Sequence, residues 1–136
     1  MTTPADGALA ASVHARCQRK YQVELNARSH PVQADEPLAS GGGDTAQTPL
    51  ELLGSALAAC TAITLRMYAE RKGWELGEVR VDCRAFVAGA SYRFERVVVL
   101  GAPLTVEQRA RLGEIAEKTP VTKVVKAGAA VATEVR

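Results

Sequence analysis

The stretch that most constrains this chain is a sharply signalled helix start followed by an apolar run. Thr48-Pro49-Leu50-Glu51 supplies an N-cap hydroxyl, a proline at the first helical position and a glutamate placed to close a capping box. Leu53, Ala56, Leu57, Cys60, Ile63, Thr64 and Met67 then recur at helical spacing and are expected to line one inward face. Leu52, Ala58, Ala59 and Ala62 widen the apolar surface well past a single stripe. Glu70-Arg71-Lys72 puts charge in the last turn, and Gly73 is a natural C-cap. A helix apolar over so much of its circumference belongs at the centre of a fold. Aromatic residues are only 4%, so the core must be built from Ala, Val and Leu. That is thin for a monomer of 136 residues, and a dimer burying apolar surface between chains is expected.

Around this helix the period is two. Leu9, Ala11, Val13, Ala15 and Cys17 alternate with polar or small neighbours, as do Tyr21, Val23, Leu25 and Ala27. The basic link Gln18-Arg19-Lys20 suits a hairpin between these strands, and a shorter extended piece runs from His30 to Ala34. Asp35-Glu36-Pro37 and Ser40-Gly41-Gly42-Gly43-Asp44 form a loop. Beyond the helix, Val79, Val81, Cys83, Ala85 and Val87 share one face of a strand. After Gly89-Ala90-Ser91 the residues Tyr92, Phe94, Arg96, Val98 and Leu100 do the same. A second helix opens at Thr105-Val106-Glu107-Gln108, another capping box, and carries Ala110, Leu112, Ile115 and Ala116 inward. Thr119-Pro120 breaks or restarts it, and a final strand is expected from Ala130 to Val135. The order predicts an α+β fold with helices on largely antiparallel sheet. Residues 1–7 read as a frayed tail and residues 8–136 as one domain.

Several function classes are disfavoured. A net charge of +2 with both signs interspersed lacks the basic stripe that nucleic-acid binding needs. Glu51, Arg66, Glu70 and Arg71 interrupt the best membrane candidate, so no span of about 20 apolar residues is expected. The N-terminus shows no basic region followed by an apolar stretch, and the chain is expected in the cytoplasm. The glycine run is followed by no Lys-Ser/Thr, which argues against a phosphate loop. Cys17, Cys60 and Cys83 lie far apart, and His14 and His30 do not join them at ligand spacing. Neither a metal nor a cofactor is expected.

Cys60 has two readings. Periodicity alone makes it a small residue on a buried helix face, where free cysteines are common. As a nucleophile it would need a cation brought in by tertiary structure, since mid-helix it gains nothing from the helix dipole. Cys17 and Cys83 fall on the inward parity of their strands and read as core filling. Glu51 is fully explained as the capping-box carboxylate, and His30 before Pro31 reads as a turn or surface residue.

His30-Pro31-Val32-Gln33-Ala34-Asp35-Glu36-Pro37, Gly42-Gly43-Asp44, Thr48-Pro49-Leu50-Glu51-Leu52-Leu53 and Ala58-Ala59-Cys60-Thr61-Ala62-Ile63-Thr64 together resemble the OsmC/Ohr family. The similarity continues through Met67-Tyr68-Ala69-Glu70-Arg71-Lys72-Gly73-Trp74 and Phe94-Glu95-Arg96. The resemblance implies an intertwined homodimer, with long helices packed at its centre. It also implies a thiol-dependent peroxidase acting on organic hydroperoxides, with Cys60 as the peroxidatic thiol. Family peroxidases hold that thiolate with an Arg and a Glu and resolve its sulfenic acid with a second Cys. The second-cysteine position is Thr119 here. The family Glu position is Leu50, with Glu51 one step and about 100° around the helix. For the Arg, the first hairpin region offers Arg19, Lys20 and Arg28. Two functions follow. One is reduction of hydroperoxides by Cys60 alone, with an external thiol as reductant. The other is a non-catalytic dimer that binds a small apolar ligand, with a structural dimer that binds no ligand as the fallback.

Overall fold

The computed structural model describes residues 7–136. Their order is β1 (His14–Arg19), β2 (Gln22–Ala27), β3 (His30–Ala34), a 3-10 turn (Leu38–Ser40), α1 (Pro49–Lys72), β4 (Val79–Ala88), β5 (Ser91–Leu100), α2 (Val106–Ala116) and α3 (Pro120–Ala127). Apart from Gly7, the expected tail lies outside the described residues. The architecture is α+β, with antiparallel sheets and one long helix. Two compact units divide the chain: residues up to Leu52 with Val131–Arg136, and Leu53–Ala130.

The first unit is built on the antiparallel meander β1-β2-β3. Lys20 and Arg28 take left-handed φ of 53° and 55°, which lets each strand turn tightly into the next. Beyond β3 the chain is held by Asp35, which is 1% exposed. Its carboxylate accepts from Thr45 Oγ1 at 2.7 Å, from the Glu36 amide at 2.7 Å and from the Thr45 amide at 3.1 Å. The Thr45 hydroxyl, above all, keeps that carboxyl below its ordinary pKa. The glycine run lets this loop close: a Cβ at Gly42 would stand 2.0 Å from the Glu36 carbonyl oxygen. The loop delivers the chain to the start of α1. There the Thr48 amide donates to Glu51 Oε1 at 2.8 Å, and the Glu51 amide donates to Thr48 Oγ1 at 3.1 Å. Both halves of the expected capping box are formed.

In the second unit β4 and β5 pair in unbroken antiparallel register, from Val79↔Leu100 to Ala88↔Ser91. Leu65, Tyr68 and Ala69 of α1, Leu76, and Leu112 and Ala116 of α2 form the core, with Val79, Val98, Leu100 and Ile115 against it. Tyr68 stays in this core because its hydroxyl is satisfied, accepting from Arg111 Nε at 2.9 Å. The Thr105–Gln108 capping box starts α2 as expected. Pro120 restarts the chain as α3, with Thr119 as its N-cap.

Six expectations are corrected. The first strand begins at His14, not Leu9, and Cys17 on it is exposed, its Sγ donating to the Lys20 carbonyl at 3.3 Å. Residues Ala130–Val135 form no strand. Ala110 is exposed on α2, whose inward residues are Leu112 and Ala116. The face of α1 buried in this chain carries Leu57, Thr61, Leu65, Tyr68 and Ala69, whereas Leu53, Ile63 and Met67 are 44%, 54% and 56% exposed. Lastly, α1 is long and apolar enough by length and composition to cross a membrane, with a mean hydropathy of 1.4 over its most apolar 18 residues. Glu51, Glu70 and Arg71 fall near its ends and Arg66 further in, which leaves residues 52–65 free of charge. Leu65 and Tyr68 nonetheless pack in the unit's core, as side chains of a core helix do.

Candidate functional site

Cys60 lies mid-way along α1, half-buried, with its Sγ 4.0 Å from Thr64 Oγ1 one turn on. The next residue, Thr61, is wholly buried. Its hydroxyl donates to the Leu57 carbonyl at 2.7 Å and accepts from Arg96 Nη1 at 2.8 Å. Arg96 reaches this point from the inward face of β5, and its side chain is only 12% exposed. Nη1 also donates to Thr122 Oγ1 at 2.8 Å, and Nη2 pairs with Glu117 at 3.2 Å. One guanidinium thus ties together α1, the end of α2 and the first turn of α3.

The hydroxyls around it have one consistent assignment. Thr119 Oγ1 and Thr122 Oγ1 are 2.6 Å apart, and Thr119 Oγ1 also accepts from the Thr122 amide at 3.2 Å. The Thr122 hydroxyl reaches the Ala116 carbonyl at 3.3 Å. If Thr119 donates to Thr122 and Thr122 donates to Ala116, every proton in the cluster has an acceptor. The reverse order leaves the Thr119 proton without one. A buried cluster favours the satisfied arrangement.

The electrostatics follow from the packing. Glu117 is held below the ordinary carboxylate pKa first by its bond with Lys126, and also by Arg96. Cys83 pairs in register with Arg96 and is half-buried, with its Sγ 3.9 Å from where a Cβ would stand on Gly54. Burial pushes its thiol up, and the Arg96 charge offsets part of that. Its core-filling reading fits this placement.

The sequence-derived candidates separate. Cys60 and Thr119 both belong to the second unit, and Thr119 is fully buried as the α3 N-cap. Glu51 is committed to the Thr48 amide. Arg19 ends β1 in the first unit, beside a cleft of about 350 Å³ that Arg16, Glu24, Gln33 and Thr45 also line. His14 and His30 are exposed on β1 and β3. Among the described residues, no three His, Cys, Asp or Glu side chains come together to hold a metal ion. Arg96, Thr61 and Thr122 were not singled out from sequence. A signal existed: Arg96 is the one charge among Tyr92, Phe94, Val98 and Leu100, and a charge at inward parity must find partners.

Comparison with known proteins places this arrangement. No curated protein matches the chain by sequence. An OsmC-like protein from Mycoplasma pneumoniae superposes with a TM-score of 0.77 at 13% identity, over 88% of this chain and 89% of that one. OhrB of Bacillus subtilis, an organic hydroperoxide resistance protein, gives 0.62 at 20% identity, over 88% and 93%. An organic hydroperoxide resistance protein from Elizabethkingia anophelis gives 0.68 at 16% identity, over 90% and 91%. These likenesses establish the fold. Residues 41–134, from the glycine loop through α3, match the family described as OsmC-like protein, and the chain is a member of it.

Proposed function

We propose that this protein reduces organic hydroperoxides through Cys60 and is resolved by an external thiol. The observation that carries this reading is the position of Cys60: a half-buried thiol mid-way along α1, one residue from the turn that Arg96 holds. The names of the OhrB and Elizabethkingia relatives, organic hydroperoxide resistance proteins, point the same way. In the first step the Cys60 thiolate attacks the terminal peroxide oxygen and the O–O bond breaks. Cys60 becomes a sulfenic acid, and the peroxide leaves as an alcohol after taking up a proton. An external thiol then condenses with the sulfenic acid, releasing water and leaving a mixed disulfide. A second thiol reduces that disulfide, restoring Cys60 and forming the oxidised reductant. Thr119 supplies a buried hydroxyl where a resolving thiol would stand, so the second thiol comes from outside. The working unit is an intertwined homodimer of one OsmC-like domain per chain, residues 8–136. Reduced thiols persist in the cytoplasm, which is the compartment this chemistry calls for.

Trapping with dimedone after cumene hydroperoxide tests the reading. A sulfenic-acid adduct at Cys60, and peroxide consumption that Cys60→Ser abolishes, are the expected results. A folded protein giving neither supports the second reading, a non-catalytic dimer that binds a small apolar ligand. The commitment of Glu51 to the Thr48 amide favours that alternative.

A further inference from the structure

Thr61 and Thr64 stand on α1 beside Cys60, and their hydroxyls are used differently. A threonine inside a helix commonly turns its hydroxyl back onto the carbonyl four residues earlier. Thr61 does so, donating to the Leu57 carbonyl at 2.7 Å. Thr64 lies one turn beyond Cys60 on the same side of the helix. Among the described residues its hydroxyl meets one partner, the Cys60 Sγ at 4.0 Å. That is a long contact, of the kind that tightens once the sulfur is charged, because a thiolate is a stronger acceptor than a thiol. The charged groups packed around this stretch of the helix have other commitments. Arg96 on β5 donates to Thr61, Thr122 and Glu117. Glu117, at the end of α2, is held by Arg96 and by Lys126 of α3. Arg66, further along α1, donates to the Gly77 carbonyl at 2.8 Å. Among the described residues none of them bonds Cys60, so the Thr64 hydroxyl is the side-chain donor that this unit brings to the sulfur.

We propose that the Thr64 hydroxyl donates to the Cys60 thiolate and holds it for attack on the peroxide, an assignment that rests on the peroxidatic reading of Cys60. When the thiol ionises, the hydroxyl rotates its proton onto the sulfur and gives up no backbone bond in doing so. The bond favours thiolate over thiol, so a larger share of Cys60 is nucleophilic at neutral pH. In the peroxide step the Thr64 proton stays on its own oxygen. The sulfur supplies the electron pair to the terminal peroxide oxygen, the O–O bond breaks, and the departing alkoxide takes its proton from solvent.

The pH profile of Cys60 alkylation by iodoacetamide, read peptide by peptide in the full-length protein, Thr64→Val and Thr64→Ser, tests it. Valine keeps the β-branched shape of threonine without the hydroxyl, and serine keeps the hydroxyl. In Thr64→Val the Cys60 profile is expected to move up by about one pH unit, slowing alkylation at neutral pH about tenfold, the effect of one hydrogen bond to a charged group. The plateau at high pH, where every Cys60 is ionised, should change little, and Thr64→Ser should stay near wild type. Cys17, exposed on β1, is the internal reference, and its profile should be the same in each protein. Dimedone labelling of Cys60 after limiting cumene hydroperoxide at neutral pH should slow by the same factor in Thr64→Val. Superposed profiles for wild type and Thr64→Val overturn the assignment. So do a Thr64→Ser protein that follows Thr64→Val, a changed plateau with an unmoved midpoint, and slower alkylation with unchanged dimedone labelling. A wild-type protein that gives no dimedone adduct, while its alkylation profile still moves in Thr64→Val, removes the peroxide step and upholds the bond between Thr64 and Cys60.

Discussion

Arg96 on β5 and Thr61 on α1 are joined by a 2.8 Å hydrogen bond, and that bond selects the face of α1 that turns inward. The helix is apolar nearly all round, so burial of hydrocarbon alone gives it little reason to prefer one rotation. A guanidinium at inward parity on β5 is different, because it must find acceptors or carry a large desolvation cost. Thr61 and Thr122 supply two acceptors and Glu117 a third. Rotating α1 by one residue would place Cys60 or Ala62 against Arg96, and neither replaces the hydroxyl.

Replacing Arg96 should therefore be costly well beyond its hydrophobic stem. Arg96→Met leaves Thr61 and Thr122 without their charged donor and removes the tie between the α2–α3 link and α1. The expected loss is about 2–4 kcal/mol, in the range for breaking a buried charge-assisted network. Urea unfolding of the two proteins gives the number. Arg96→Lys keeps the charge but lacks the planar fork that serves three acceptors at once, and should recover only part of it. A loss below about 0.5 kcal/mol would mean that packing alone orients the helix.

How much of this was legible depends on what each residue had to satisfy. The capping boxes at Thr48–Glu51 and Thr105–Gln108, the restart at Pro120 and the β4–β5 hairpin were readable, because each is settled within a few residues. The inward face of α1 was not. With Leu53, Leu57, Ile63 and Leu65 all apolar, the pattern lacked the polar side that fixes a phase. The same limit hid the site: Thr61 reads as a spacer beside Cys60 until Arg96, far along the chain, is brought to it. Cys17 failed for another reason. Its strand alternates as an inward strand should, but period two says only that residues share a face, not that the face is covered.

Asp35 makes the loop before α1 acid-sensitive. Its carboxyl is held below its ordinary pKa, chiefly by the Thr45 hydroxyl. A lowered folded-state pKa means that the unfolded chain binds the proton first as pH falls. The stabilisation is complete above the ordinary carboxylate pKa of about 3.9 and is lost as pH drops through the lower folded value. Asp35→Asn should remove that part of the acid limb and be less stable than wild type at neutral pH. Urea midpoints followed from neutral pH down to about pH 2 should therefore converge at the acid end. Parallel curves for the two proteins would exclude Asp35 as the titrating group.

The exposed side of α1 leads to an expectation about assembly. Leu53, Ile63 and Met67 are 44%, 54% and 56% exposed in a single chain, and they lie on the helix that carries Cys60. Covering them calls for a second copy. Sedimentation at micromolar concentration should show a dimer, and Ile63→Glu with Met67→Glu should dissociate it. A folded wild-type monomer under those conditions would count against an obligate dimer and against the apolar-ligand reading built on it.

Peroxide treatment should not join Cys60 to Cys83 of its own chain. Cys83 lies against Gly54, and Cys60 is about 9 Å further along the axis at about 1.5 Å per residue. A disulfide requires Cα atoms within about 7 Å. Peptide mapping without reductant should recover Cys60 as a mixed disulfide or trapped sulfenic acid. A Cys60–Cys83 peptide would restore a two-cysteine cycle with an altered partner.

Thr119→Cys asks whether the second thiol is all that separates this chain from a two-cysteine peroxidase. Thr and Cys are close in size, so the cavity that holds residue 119 should accept the change sterically. The hydroxyl is another matter. Thr119 caps α3 by accepting from the Thr122 amide, and it donates to the hydroxyl that receives Arg96 Nη1. A thiol does both poorly, and loss of an N-cap costs about 1 kcal/mol. The variant should therefore be less stable than wild type, and Thr119→Ser should retain most of the stability because it keeps the oxygen. Activity is read as peroxide consumption with dihydrolipoamide as reductant, in wild type, Thr119→Cys and Thr119→Cys with Cys60→Ser. If Cys60 is peroxidatic, the single variant should turn over faster with the dithiol, form an internal disulfide, and lose both properties when Cys60 becomes Ser. A folded Thr119→Cys protein that gains no dithiol-dependent turnover would move the assignment toward the ligand-binding dimer. The hydroxyl cluster around Arg96 would then be a device for locking α3 onto α1 rather than for supporting redox chemistry.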